Sequence, residues 1–559
     1  MAEKYTVEQL NKLNKKDLML LVLSMQDQLT QMNDNLEKLI GQIRIANQQR
    51  FGRHTETLDA VSGQLSLFNE AEALSEDTME ELTIEEVLAT VPKQKKQRGK
   101  RDADLSGFPE EKILHSVSQE KLNEMYGDGN YKRMPDESYK RLRYEPASWT
   151  VEVHTVEVYV GTDGLHQDEF VRGDRPKDLL RNSIVTPSLE AAIINGKYVN
   201  SIPLYRIEQE FQRGGVHISR QNMANWTILC AQRYFQPVYD YMKEELFKYH
   251  VTQCDETPVE VINDGRSAGA QSYMWVHRSG EYYKDKPIVL YEYQKTRNHD
   301  HPEQYYKDFK GVLVTDGLSQ YHLIEKNLEG VTNANCWAHC RRSFMNAVKA
   351  MDDRETAKKS VAYQALIRIS SIYELDESLK TLTAEERLKE REKNVKPLVE
   401  EYFVWVKKVL HEQLPKGETA KGLKYSINQE KQLKVFLRDG EVPIDNSASE
   451  RSIRTFCIGK KNWVIIDSIK GAEASAVIYS ISETAKLNNL STYNYFCYLL
   501  TELPKLADKD GTIDKNALAS LMPCGYTGAV KPLFRKTGNR QSGKWKPLIR
   551  NRVPLLSTY

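Results

Sequence analysis

The stretch from His250 to His339 constrains the fold more than any other part of the chain, because its apolar residues come in short runs punctuated by turn residues. HVTQCDETPVEVI (250–262) reads as a strand carrying Asp255. Gly265 and Gly269 then turn the chain into QSYMWVHR (271–278), and Ser279-Gly280 opens a second turn before PIVLYEYQ (287–294). Three strands with such short connections form, most simply, an antiparallel meander. After a polar segment, Gly311 to Thr315 predicts a short buried strand ending at Asp316-Gly317, and a helix containing Tyr321 to Ile324 follows. Asn335-Cys336-Trp337-Ala338-His339 reads as one more strand.

Three strands, a crossover and alternating helices and strands describe an α/β, RNase H-like sheet, with Asp255 on the first strand facing Asp316 at the end of the fourth. Two facing carboxylates repel one another unless a cation or proton compensates them. Oxygen ligands suit Mg2+, which also accepts phosphate oxygens and retained waters, and Mn2+ can substitute for it. A third acid stands in IDNSASERSIR (444–454), where a helix beginning near Asp445 or Asn446 carries Glu450. Arg451 and Arg454 on that helix, with Lys460 and Lys461 beyond them, offer positive charge to a polyanion. Two metals bridged by Asp255 and Asp316, with Glu450 completing one site, can activate water or a 3′-hydroxyl and stabilise the leaving oxygen of in-line phosphoryl transfer. Plain structural roles stay open to each acid: Asp255 as a turn cap, Asp316-Gly317 as a β-turn, Glu450 as a partner of Arg454.

At about 150 residues per domain, 559 residues predict three or four folded units. No apolar run reaches the length of a membrane span, and the N-terminal MAEKYTVEQLNKLN lacks the apolar stretch of a signal peptide. Seven cysteines cannot all pair internally and fit a reducing compartment, so the expectation is a cytoplasmic protein without membrane contact. A net charge of +1, from 79 basic and 78 acidic residues, excludes nothing about nucleic acid, because the charges are segregated along the chain.

From Leu18 to Ala46, apolar residues recur in steps of four and three, through Val22, Met25, Leu29, Met32, Leu36, Leu39 and Ile43. That seam predicts a coiled-coil helix that self-associates, or one that folds back on its own domain. An acidic stretch (Glu70 to Glu86) and a basic cluster (Lys93 to Arg101) then form a charged linker whose basic part can ride a phosphate backbone. The tail after Gly528 holds Lys531, Arg535, Lys536, Arg540, Lys544, Lys546, Arg550 and Arg552 without one acidic residue, so it can track DNA or simply keep the end solvated.

SWTVEVHTVEVYV (148–160) alternates like a strand and predicts a small β-containing unit. Beyond it, residues 187–226 read as three short helices, with Arg213-Gly214-Gly215-Val216 as a turn leading to Ser219. Ser219 can cap the helix from Arg220 to Ile228. Arg220, Gln221 and Asn222 then occupy its first turn, where a recognition helix meets bases or phosphates.

The wording of several segments resembles the transposases of the IS66 insertion-sequence family: FGRHTE (51–56), SLFNEAE (66–72), PLYRIEQEF (203–211), CDETPVEV (254–261), VTDGLSQY (314–321), CWAHCRRSF (336–344), IDNSASERSIR (444–454) and GKKNW through SISETAKLN (459–488). The resemblance covers most of the chain to about residue 523. It implies a DDE transposase with an RNase H-like catalytic domain, with Asp255, Asp316 and Glu450 as the metal-binding acids. Mg2+ is the implied cofactor, and the implied partners are double-stranded element ends and target DNA; whether accessory proteins join them is left open by the sequence. Two features depart from that pattern: no cysteine precedes Cys230, so a zinc finger is not expected at 103–165, and the tail beyond about 529 has no counterpart.

Between His339 and Asp445, alternating apolar and charged residues predict an all-helical insertion. Cys336, His339 and Cys340 are too cramped for a zinc site and lack a fourth ligand, so core packing is expected there, with Arg341-Arg342 facing phosphate. The expected organisation is a coiled-coil oligomerisation helix (1–50), a charged linker (51–102) and a β-containing unit associated with DNA binding (103–165). A helix-turn-helix-like DNA-binding region (166–245) and a catalytic core in two parts (246–343 and 441–500) around a helical insertion (344–440) follow, and a C-terminal segment with the basic tail (501–559) ends the chain. Two other functions stay open: a non-catalytic DNA-binding or regulatory protein descended from a transposase, and a metal-dependent nuclease that cuts without joining.

Overall fold

The computed structural model describes residues 149–160, 170–172, 177–508 and 513–526, apart from 268, 352–353, 413–416 and 524, together with Gln26, Glu120, Asp174 and two short strands at 534–536 and 545–547. The heptad seam, the charged linker, most of the unit expected at 103–165 and the rest of the basic tail lie outside the described residues. The described residues fall into two compact units, one holding Gln26 and the run from Asp178 to Gly525, and one holding those between Met79 and Lys177 and from Tyr526 onward.

In the latter unit, β1 (Val158–Val160) pairs antiparallel with β2 (Phe170–Arg172), Tyr159 opposite Val171. The strand predicted over 148–160 therefore forms only at its end. Val151 and Val153 alternate as a strand would, yet they are 85% and 84% exposed, because alternation becomes a strand only where a partner takes up the backbone hydrogen bonds. Within the tail, Phe534–Lys536 pairs antiparallel with Trp545–Pro547.

The larger unit is built on β3 (Val251–Asn263), β4 (Gln271–Ser279), β5 (Val289–Gln294), β6 (Gly311–Thr315), β7 (Val331–Asn335) and β8 (Ile466–Ser468). They lie in the order β5-β4-β3-β6-β7, with β8 alongside the distal part of β3. The first three strands form the predicted meander, while β6 and β7 run parallel to β3 and to each other. This is a mixed α/β architecture consistent with the RNase H-like class. β6 starts at Gly311, whose φ of +146° and approach to the His250 carbonyl leave no room for a side chain; a Cβ there would sit 2.1 Å from that oxygen.

One strand departs from the sequence reading. The strand there is β7, Val331–Asn335, and Trp337 to His339 form the first turn of a helix, Trp337–Lys349. The buried positions Trp337, Cys340, Arg341, Phe344, Met345 and Val348 recur in steps of three and four, a helical period that the five residues read as a strand are too few to reveal.

Side chains alternate between the faces of the sheet. Cys254, Leu313 and Val331 enter a core with Tyr321 and Ile324 of the helix Ser319–Asn327. On the other face Val251, Val312, Val314 and Ala334 join the helical insertion through Phe344, Leu366, Tyr402 and Phe436. At its centre Arg391, fully buried, holds Asp376 by Nε at 2.6 Å and Nη2 at 3.1 Å. Its Nη1 donates to the carbonyls of Phe436, Asp439 and Val442 at 2.9, 3.1 and 2.8 Å, so every charge in this pocket is answered.

Ahead of the sheet, the helices Pro187–Ile194, Leu204–Arg213 and Arg220–Cys230 close a small core of Ile193, Ile207, Ile218 and Met223. Gly215, at φ +79°, makes the turn between the last two, and Ser219 caps the third by accepting from the Asn222 amide at 3.2 Å.

Candidate active site

The register of β3 against β6 pairs Val251 with Val312 and Gln253 with Val314. Continued by two residues, it brings Asp316 level with Asp255 on the same face. β6 against β7 pairs Thr315 with Asn335, so Cys336 stands level with Asp316. Strand β3 extends past this row, while β6 and β7 stop at it, which opens a notch at their carboxyl ends. In the turn after β6, Asp316 Oδ1 accepts from the Leu318 amide at 3.1 Å, and Tyr425 Oη donates to the Asp316 carbonyl at 2.8 Å. Gly317 makes this turn at φ +84°, and a Cβ there would lie 2.4 Å from Tyr425 Oη.

Glu450 reaches the notch from the helix Ser447–Trp463. Asn446, just before it, donates from Nδ2 to the Cys254 carbonyl at 2.8 Å and accepts from Gln253 Nε2 at 3.2 Å. Its amide donates to Cys336 Sγ at 3.2 Å, and the Trp337 amide donates to Ile444 O at 3.2 Å. Further along, Arg278 Nη1 donates to Ala448 O at 2.8 Å and Lys460 Nζ to Pro258 O at 2.6 Å. These bonds pin the helix along β3 and β4 over several turns.

Burial, then the charges of Glu256, Glu450 and Asp316, push the Asp255 carboxyl well above the usual carboxylate range. Asp316 is pushed up to about 6, by burial first and Glu256 next, while the Leu318 amide, Arg297 and Arg342 pull the other way. Asp255 thus feels Glu450 and Asp316 across the fold, the signature of a concentrated negative charge in a place of low dielectric.

Sequence reasoning passed over Glu256 and Arg297, which lie beside these acids. The Glu256 side chain is 1% exposed, and it accepts from Arg297 Nε at 2.7 Å and from Tyr321 Oη. His339 lies beside the cluster with Nδ1 3.7 Å from Glu450 Oε1, and Arg342 Nη2 is 3.5 Å from the same oxygen. Burial, and then Arg342, lower the His339 imidazole to about 3. A second acid directly after Asp255 was the available signal for Glu256; nothing local marks Arg297.

The basic residues divide by burial. Arg220, Gln221 and Asn222 are exposed on the third helix of the small core, with the Arg220 guanidinium 5.6 Å from the Tyr205 ring. On the Glu450 helix, Arg454 and Lys461 continue the Glu450 face at helical spacing, Lys461 exposed and Arg454 half-buried. Lys460 is turned to β3, and Arg451 pairs with Glu281 at 3.1 Å on another side. Arg342 is exposed beside Glu450, but Arg341 is 5% exposed, among Tyr373 and Asp445. The expectation that Arg341 faces phosphate is overturned: consecutive residues on a helix point about 100° apart, and only one of the pair can face outward.

A sequence profile described as "Transposase IS66 family" matches residues 182–474, and one described as "Transposase C of IS166 homeodomain" matches residues 38–113. Protein y4qI of Sinorhizobium fredii is 27% identical over 346 residues, 60% of this chain and 63% of that protein. Protein y4jD of the same organism is 25% identical over 368 residues, 64% of this chain and 70% of that protein. The match with y4qI thus spans less than two thirds of that relative. Since the first profile takes in more than half of the 559 residues, from the helices ahead of the sheet through the Glu450 helix and β8, the chain belongs to the IS66 family of transposases.

Proposed function

We propose that this protein is a DDE-type DNA transposase that cleaves phosphodiester bonds at the ends of a mobile element and joins the freed 3′-hydroxyls to target DNA. One observation supports the reading: Asp316 continues the β6 register to the level of Asp255, Asp255 feels the charges of Glu450 and Asp316, and burial and neighbouring acidic charge raise both aspartates. Oxygen donors with uncompensated negative charge fit Mg2+, or Mn2+ in its place, and Asp255, Asp316 and Glu450 would hold it. Such an ion, when bound, supplies Lewis-acid activation of the attacking oxygen and charge neutralisation on the leaving one. The chain's own residues orient the acids: Asn446 fixes the start of the Glu450 helix, Tyr425 and the Leu318 amide fix Asp316, and Arg297 with Tyr321 keeps Glu256 out of the notch.

DNA contacts are assigned to the exposed first turn Arg220-Gln221-Asn222 of a helix-turn-helix, and to Arg342, Arg454 and Lys461 on the Glu450 side, while Arg451 and Lys460 are engaged with Glu281 and the Pro258 carbonyl. The 18–46 heptad seam, outside the described residues, is assigned to self-association, so that two element ends are processed together, with accessory proteins as further partners. Among the described residues no helix is long and apolar enough to cross a membrane, and the working location is the cytoplasm, on DNA.

The test is Mg2+-dependent cleavage and joining of labelled element-end DNA by the native protein and by Asp255→Ala, Asp316→Ala and Glu450→Ala. Loss of both products with DNA binding retained supports the reading. Cleavage without joining makes the protein a nuclease. Binding without any product, accessory proteins included, makes it a regulator.

A further inference from the structure

The row of acids has a neighbour of different chemistry. Cys336 stands level with Asp316 at the end of β7, His339 follows one helical turn later, and Glu450 faces both from its own helix. One ligand atom from each of Cys336, His339 and Glu450 lies within 4.8 Å of the other two. His339 Nδ1 is buried, has no hydrogen-bond partner, and stands 3.7 Å from Glu450 Oε1. That separation is too long for a hydrogen bond but near the spacing of two atoms that each lie about 2.0–2.2 Å from one tetrahedral ion. Cys336 Sγ is held at the cluster by the Asn446 amide, which donates to it at 3.2 Å.

We propose that Cys336, His339 and Glu450 form a binding site for a thiophilic divalent cation of the Zn2+ class. Sulfur, imidazole and carboxylate together are a donor set that Zn2+ accepts and Mg2+ does not. Three protein ligands leave one tetrahedral position to water. Cys340, the nearer cysteine in sequence, takes no part: its Sγ packs at 3.5 Å from Tyr402 Oη and 3.2 Å from Ser426 Oγ in the helical insertion. Glu450 supplies the ligand that local spacing lacks. A consequence, which rests on the transposase reading, is that Zn2+ draws Glu450 away from the all-oxygen set and inhibits Mg2+-dependent cleavage.

The binding is tested without DNA, on the full chain titrated with Co2+ as a spectroscopic stand-in for Zn2+. A thiolate-to-Co2+ charge-transfer band is expected, saturating at one thiolate-bound ion per chain and erased by added Zn2+. Cys336→Ser removes the band and Cys340→Ala keeps it. His339→Ala weakens Co2+ binding by at least the roughly 10–100-fold that loss of an outer-shell partner causes. No band in the native protein at saturating Co2+, or a band that survives Cys336→Ser with native circular dichroism, overturns the site. Should Cys336→Ser misfold, His339→Ala decides, and unchanged Co2+ affinity in that variant overturns the site as well. A protein that shows the band yet never cuts DNA sinks the transposase reading and leaves this one standing.

Discussion

Asn446 Nδ2 donates to the Cys254 carbonyl at 2.8 Å, which locks the start of the Glu450 helix to the strand residue beside Asp255. Asn446 is completely buried, and its side-chain oxygen and backbone amide are also engaged. Asn446→Ala leaves the Cys254 carbonyl and Gln253 Nε2 without this partner, at a cost of about 1–3 kcal/mol for a buried polar group. Urea denaturation checks the stability. If the lock positions Glu450, turnover in the cleavage assay falls more than DNA affinity does; an equal fall in both contradicts that role.

The raised carboxyls make the metal-free protein sensitive to pH. Asp316 binds its proton more tightly folded, at about 6, than at its ordinary 3.8. Its contribution to stability is therefore fully present below about 3.8 and is lost as pH rises through about 6. Asp316→Asn is expected to stabilise the metal-free protein at pH 7 by on the order of 1–3 kcal/mol. It should also abolish the rise in melting temperature that Mg2+ gives the native chain. Thermal melts with and without Mg2+ at pH 5 and pH 7 test both parts, and an Asn variant that melts lower than the native protein at pH 7 contradicts them.

Glu190 offers the same sign of effect far from the notch. It is completely buried under the small helical core, with Thr227 Oγ1 donating to it at 2.8 Å, and burial pushes it up to about 8. Stability is lost as pH rises from about 4.5 toward 8. Glu190→Gln, which keeps the shape and an acceptor for Thr227, should flatten that dependence and gain a few kcal/mol at pH 8. Melting curves from pH 5 to pH 8 would show parallel traces for both proteins if the idea is wrong.

Arg391 and Asp376 form the buried pair of the helical insertion, 2.6 Å apart. Removing one partner leaves a desolvated charge, so Asp376→Ala should cost about 3–5 kcal/mol. Because Arg391 also binds the carbonyls of Phe436, Asp439 and Val442, protease cleavage is expected to increase around 436–445. Proteolysis mapped by mass spectrometry with no new cuts there would contradict this.

Val464 ends the Glu450 helix at φ +62° and ψ −54°, with the Ile465 amide reaching back to Trp463 O at 2.7 Å. A β-branched residue in such a turn is strained, and its side chain is 62% exposed and adds little packing. Val464→Gly should raise stability by about 1 kcal/mol despite the flexibility of glycine. A fall in the urea midpoint would show that the side chain matters more than the strain.

Much of the sheet was legible before the structure. The meander from 250 to 294 and the strand ending at Asp316 follow from short apolar runs between glycine turns, and Ser219 was readable as a cap from its place after Gly214-Gly215. The segment at 335–339 was misread because five residues hold no helical period, and the run at 148–156 because alternation cannot report a missing strand partner.

What the sequence by itself determined is the local grammar of the chain: which runs are strands or helices, where they turn, and which acids lie at their ends. These depend on side-chain periodicity and backbone preferences that act within a few residues. Only the tertiary structure decided that Cys336 joins Asp316 level with Asp255, that Asn446 carries Glu450 to them, and that His339 rather than Cys340 faces the acid. It also decided that Arg341 is buried while Arg342 is not. Those outcomes rest on strand register and on burial against segments a hundred or more residues away, which no local pattern encodes.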